Sequence, residues 1–179
     1  AQRAQRAPKT AETSVPSVTI GTQTWMKRNL DVVTFRNGDT IPQAASDSAW
    51  MAAAENETPA WCYYNNDPAN GAVYGKLYNW FTTVDARGLC PAGWHVPTDC
   101  EWMYLEGSLG MNVEDQMASF WRGLNQGADL KSTAGWLSND GATNSSGFSA
   151  LPAGFSFYYG PFNFIGQQAF FWTSTSNPS

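Results

Sequence analysis

The sequence is short of charge. Asp, Glu, Lys and Arg make up 14% of its 179 residues, well under the ~25% of an ordinary soluble domain. It has one histidine, His95, set between Trp94 and Val96, and a histidine packed between apolar neighbours reads as structural rather than catalytic. Three cysteines, Cys62, Cys90 and Cys100, form neither a CxxC redox pair nor a zinc-ligand spacing. No stretch of 18 apolar residues is present, so no membrane span is expected. No glycine-rich phosphate loop follows a strand and no DxDxDG calcium loop occurs. These absences point away from catalysis, and no catalytic residue, metal site or cofactor is assigned.

Aromatic residues are abundant. They reach 15%, with nine Trp, and 16 Gly and ten Pro are spread along the chain, a texture of many turns and few long helices. Low charge with much Asn, Ser, Thr, Gly and Trp suits an extracellular or cell-surface protein, and an Ala-Gln start suits a chain released by signal cleavage. The net charge of −5 is unevenly placed: Arg3, Arg6 and Lys9 are the only charges in the first nine residues. The acidic remainder repels phosphate backbones, which argues against nucleic-acid binding. Residues 1–16 read as an extended N-terminal arm and 17–179 as one domain. The basic arm is suited to the acidic body of a neighbouring copy, with Arg3, Arg6, Lys9 and Val15 as its contact residues.

Along the domain, Ser17–Met26 reads as a hairpin turning near Gly21-Thr22, and Asn37-Gly38-Asp39 marks a second turn. A helix is predicted from Ser46 or Asp47 as N-cap. Leu77, Trp80, Phe81 and Val84 fall on one helical face. Thr98 and Glu101 form a capping box ahead of Trp102, Leu105 and Leu109. Val113, Met117, Phe120, Trp121 and Leu124 form a third helical stripe after Asn112. Beyond residue 126, short strands and loops are expected, which makes the layout α+β. Cys90 and Cys100 flank a short Pro-containing loop and are the candidate disulfide; three buried thiols are the other reading.

Three segments carry a resemblance: WCYYNNDPANGAVYGKLYNW (61–80), RGLCPAGWHVPTDCEW (87–102) and TNSSGFSALPAGF (143–155). With TIGTQTWMKRNL (19–30), LKSTAGW (130–136) and FWTSTS (171–176) around them, they resemble the Fibrobacter succinogenes major paralogous domain, a family of secreted bacterial modules. The resemblance covers about residues 17–176 and implies a C-type-lectin-like fold, distantly related to formylglycine-generating enzymes. It also implies further closing strands after the WTSTS segment and a cysteine near the C-terminus as the partner of Cys90. Neither stands in this sequence, so Cys100 is the expected substitute partner. The cysteine pair of formylglycine-generating enzymes has no counterpart after Cys100, which speaks against that activity.

Nine aromatic residues lie between Phe155 and Trp172. Tyr158, Tyr159, Phe162 and Phe164, around Gly160-Pro161, read as a hairpin tip able to contact a sugar or another subunit, or else to fill the domain's own core. Asn65, Asn66, Asp67 and Asn70 could offer oxygens to calcium, but a turn rich in side-chain hydrogen bonds is the better reading. Thr40 and Ser48, each after an Asp, resemble bacterial O-glycan acceptors, and Asn56 and Asn144 match the N-glycan pattern. The expected function is a non-catalytic extracellular subunit that self-assembles into a fibre or surface layer, through its arm and an open sheet edge near Val18–Trp25 or Phe170–Thr173. The alternative is a monomeric binding or adhesion module for glycan or protein.

Overall fold

The computed structural model describes residues 3–6, 15–138 and 141–176. It is an α+β domain in which short strands and capped helices enclose three adjoining apolar clusters. The strand β1 (Gln5–Arg6) precedes the predicted hairpin, formed by β2 (Ser17–Ile20) and β3 (Gln23–Met26). Ile20 pairs with Gln23, so the turn has two residues. Gly21 takes φ +60° at its first position, a conformation that two-residue hairpins demand and glycine supplies without steric cost.

The helix α1 (Asp47–Glu55) begins where the sequence predicts, with the Ser46 hydroxyl accepting from the Ala49 N–H. The strand β4 (Trp61–Cys62), a 3₁₀ turn at Tyr64–Asn66 and the helix α2 (Pro68–Tyr74) follow. Leu77, placed at the start of a helical face by its spacing from Trp80, Phe81 and Val84, instead lies with Tyr78 in β5 (Leu77–Tyr78), which pairs with β4. The helix α3 (Trp80–Thr83) starts only at Trp80 because Asn79 caps it there. The Asn79 Oδ1 accepts from the N–H groups of Ala60 and Thr82, while its Nδ2 donates to the Thr58 carbonyl.

The strand β6 (Trp94–His95) leads into α4 (Asp99–Ser108), where the Thr98–Glu101 capping box forms as predicted. The third predicted stripe gives only α5 (Val113–Gln116). Beyond it Arg122 donates to the carbonyls of Gln116 and Ala118, acceptors that a continued helix would need for its own ladder. The helix α6 (Gln126–Leu130) and the hairpin β7 (Ala153–Ser156) and β8 (Phe162–Ile165) complete the element order. At Gly154, φ is +59° and an added Cβ would lie 2.3 Å from the Asn163 carbonyl oxygen, so the close β7–β8 approach requires glycine.

The largest sheet runs β2-β3-β1-β6. The sequence reading detached residues 1–16 as an arm, and for residues 3–6 the structure corrects it. Gln5 and Arg6 form an interior strand of the domain's own sheet, with Gln5 opposite both Trp25 and His95, and Arg3 and Ala4 are buried ahead of it. The expected open edge at Trp25 is therefore closed by β1, and β2 becomes the edge. Among the described residues, Phe170–Thr173 forms no strand; its neighbour Ala169 makes a single bridge to Gly154.

Candidate functional site

Arg3 decides the character of the N-terminal segment. It is 0% exposed, where an arm reaching for an acidic neighbour would keep it in water. Its Nε donates to Asn29 Oδ1 at 3.2 Å, its Nη1 to the Met26 carbonyl at 2.7 Å and its Nη2 to the Ser149 carbonyl at 2.6 Å. The guanidinium also lies 4.7 Å from the centre of the Phe148 ring. Burial pushes its pKa down to about 9, so it stays charged at neutral pH. A buried guanidinium costs several kcal/mol unless its donors are matched, and here the named acceptors meet all three nitrogens.

The seat is built by the motifs that carry the resemblance. Ser149 sits in the SGFSALPAG segment with φ +60°. The Asn144 side chain holds it on both sides, accepting from the Ser149 N–H and donating to its hydroxyl. Trp94 of the GWHVPT segment backs β1 through β6, and Ala4 packs in the same cluster as Met26, Cys90 and Trp94. The Met26 N–H donates to the Ala4 carbonyl. Val15 packs against that cluster too. Arg6 contributes its backbone, opposite Trp94; Lys9 lies outside the described residues.

A second feature is an aromatic cleft of about 450 Å³ between α1, α3, β7 and the C-terminal segment. Trp50, Trp80, Phe155, Phe157, Phe170 and Trp172 supply most of its wall. The indole N–H groups of Trp50 and Trp172 are engaged by the carbonyls of Phe157 and Tyr78, so the cleft offers mainly aromatic faces. The predicted tip residues divide around it. Tyr158 and Tyr159 are exposed beside Phe157, with Phe157 and Tyr159 stacked at 4.8 Å. Phe164 is partly exposed against Phe155. Phe162 is a correction: partly buried, it packs on Tyr64 against the domain's own core, the other role that the sequence left open for it.

The expected Cys90–Cys100 disulfide is also corrected, since all three cysteines are free thiols. Cys90 is held in the core while Cys100 faces solvent from the first turn of α4. Burial pushes the thiols of Cys62 and Cys90 up to about 12. His95 Nε2 meets both oxygens of Glu101, the carboxylate that also accepts from the Thr98 N–H.

Asn66 donates to Asp47, Asp67 caps α2 and Asn70 donates to the Tyr64 carbonyl, the turn that the sequence favours over a calcium loop. Thr40 and Ser48 are exposed, as is Asn56, whose Nδ2 donates to the Ala52 carbonyl; the Asn144 amide is committed to Ser149. Among the described residues no group of three candidate metal ligands occurs, and no helix is long and apolar enough to cross a membrane.

Two features escaped sequence reasoning: the Arg3 seat and the aromatic cleft. The cleft had a signal in the density of aromatic residues after Phe155. The seat had none, because its partners lie 23 to 146 residues from Arg3.

Residues 18–179 match the Fibrobacter succinogenes major domain. The chain belongs to this family. No curated protein and no solved structure matches it. The match includes the seat of Arg3, namely Met26, Asn29, Phe148 and Ser149, and begins after the segment that fills it.

Proposed function

We propose that this domain is a non-catalytic extracellular assembly subunit that exchanges its N-terminal strand between copies. The observation that carries the reading is the interior position of β1, with Arg3 wholly buried beside it. A terminal segment that completes a sheet in its own chain makes the same hydrogen bonds in an identical neighbour, so exchange costs little free energy and generates closed dimers or open chains. The assembly role of Arg3 is thus that of a plug, not of a charge seeking an acidic surface. The low charge and aromatic richness support an extracellular setting, and the C-type-lectin-like relation implied by the motifs belongs to the same reading. The use of Glu101 as a helix cap bonded to His95 favours a structural role for that pair over a catalytic one.

The test is capture of a peptide. A chain lacking residues 1–6 should bind a fluorescent peptide of residues 1–10 saturably, and an Arg3→Ala peptide at least tenfold more weakly. The full chain refolded at high concentration should yield dimers or larger species. A folded truncated chain that ignores the peptide, or a full chain that refolds only to monomer, would overturn the reading. The second reading, a monomeric adhesion module, is favoured by the exposed Tyr158 and Tyr159; it requires a chain that stays monomeric at every concentration.

A further inference from the structure

The segment between α5 and α6 holds an apolar knob in water. Phe120 is 97% and Trp121 84% exposed, with Met117 and Leu124 exposed beside them. The knob is fixed from beneath, where Arg122 pairs with Glu106 of α4 at 2.9 Å and donates to the Gln116 carbonyl at 2.6 Å. The side chains of that pair are only 20% and 17% exposed. Phe120 itself takes φ +66°, a left-handed conformation that costs a residue with a Cβ about 1–2 kcal/mol. Within its own chain Phe120 recovers almost none of that cost through burial. Rigid aromatic anchors of this kind are typical of the centre of an interface.

The same chain carries a matching receptacle, the aromatic cleft. Knob and cleft lie toward opposite ends of α4. Asp99, its first residue, borders a depression walled by Trp80 and Trp172, which also wall the cleft. Glu106, which pins the knob, comes seven residues later in the helix, about 10 Å along its axis at 1.5 Å per residue. None of the four knob residues lines the cleft.

We propose that Phe120 and Trp121 of one copy dock in the aromatic cleft of the next, head to tail. This rests on the reading that the domain assembles, and names a second contact for it. The occupant is another copy because the chain's own exposed pair of aromatic side chains suits a cleft walled mainly by aromatic faces, in which the indole donors of Trp50 and Trp172 already have partners. Burying them removes about 300–500 Å² of knob surface, less than the ~800 Å² per partner of a stable interface. The contact is therefore weak alone and effective where strand exchange already links the copies. Using different faces on the two partners, it propagates from copy to copy, as a ring where the rotation closes and as an open chain where it does not.

Complementation of two full-chain variants tests it. One carries Phe120→Ser with Trp121→Ser; the other carries Ala54→Trp, which fills the cleft from α1, with Tyr158→Lys as a second cleft variant. Folding of each is checked by its melting temperature. In sedimentation equilibrium, each variant alone should show an association constant at least tenfold below that of the native chain. A 1:1 mixture of a knob variant and a cleft variant should regain a complex, because one live knob meets one live cleft. Strand exchange, which no variant touches, contributes equally to every sample, and peptide capture reports its failure separately. A mixture no heavier than the mean of its components, or a variant that associates as the native chain does, would overturn the proposal.

Discussion

The seat of Arg3 and the segment around Phe120 treat side chains in opposite ways. At the first, a guanidinium and the Asn29 amide are taken out of water, and carbonyls 23 and 146 residues away from Arg3 converge on it. At the second, two large aromatic side chains are left in water on a backbone held by a half-buried ion pair. Hydropathy assigns each residue to the wrong side. What decides is whether a partner exists: a polar group can be buried when its hydrogen bonds are met, and an apolar anchor can be exposed when its burial waits for another molecule. In the first region the chain supplies its own partner; in the second we infer that a neighbouring copy does.

The largest expected contrast is in thiol chemistry. Cys90 packs in the cluster that includes Ala4, so it reports on the seat of the N-terminal strand. Burial pushes its pKa up to about 12, so very little of it is thiolate, the reactive form. Burial also keeps reagent from Cys62 and Cys90, so under native conditions the exposed Cys100 should alkylate within the time of a mixing experiment while the other two stay unmodified. Removal of residues 1–6 should raise the Cys90 rate far more than the Cys62 rate, as peptide mass mapping would show. Equal rates at all three cysteines in the native chain would mean that the seat is not closed.

Replacing Arg3 comes next. Arg3→Met keeps the stem and removes three donors, leaving the carbonyls of Met26 and Ser149 without their guanidinium partner. Hydrogen bonds to a charged group contribute about 1.5–3 kcal/mol, and they do not add fully. The expected loss is about 2–3 kcal/mol, read as a lower denaturation midpoint with an unchanged slope. Lys27→Ala, at an exposed position in the same region, should change stability by less than ~0.5 kcal/mol. If Arg3→Met were equally silent, the contrast between the two regions would collapse.

Glu101 separates a locally encoded feature from these. Burial raises its pKa, but the Thr98 N–H and hydroxyl and His95 outweigh that and hold it below the usual glutamate value of 4.5. Its carboxylate therefore stabilises the fold fully above pH ~4.5, and that stabilisation is lost as pH falls through the lower, folded-state value. Glu101→Gln should cost about 1 kcal/mol at pH 7, within the range of capping interactions. The gap to the native chain should narrow below pH 4.5 in parallel melts. A gap that widens with acid would contradict the assigned bonds.

What could be read from the sequence follows the same division between local and distant partners. Ser46, Thr98 with Glu101, and Gly21 act within three residues of themselves, so their helices and turn were legible. Leu77 satisfied a helical spacing with Trp80, Phe81 and Val84, but its strand partner is Cys62, and pairing across the sheet overrode the local pattern. The stripe from Val113 to Leu124 also had the right period, yet Arg122 captures the carbonyls at the end of α5. The family motifs were legible as strings, whereas their task of receiving Arg3 was not, since the segment they receive lies outside them.

Replacing Phe120 is expected to cost no stability at all, and it sharpens the contrast most. Phe120→Gly removes a side chain that is almost wholly in water, so essentially no burial is lost. It relieves the left-handed strain, worth about 1–2 kcal/mol, and adds the glycine's greater unfolded-state entropy, about 0.5–1 kcal/mol in the opposite direction. The net change should lie between zero and ~1.5 kcal/mol of stabilisation, against a loss at Arg3. Self-association should move the other way and weaken, because the anchor has gone. Melting temperature and sedimentation, measured on one preparation, should thus diverge. A variant that loses stability and keeps its association would place Phe120 in this chain's own packing and remove the reason for calling it an anchor.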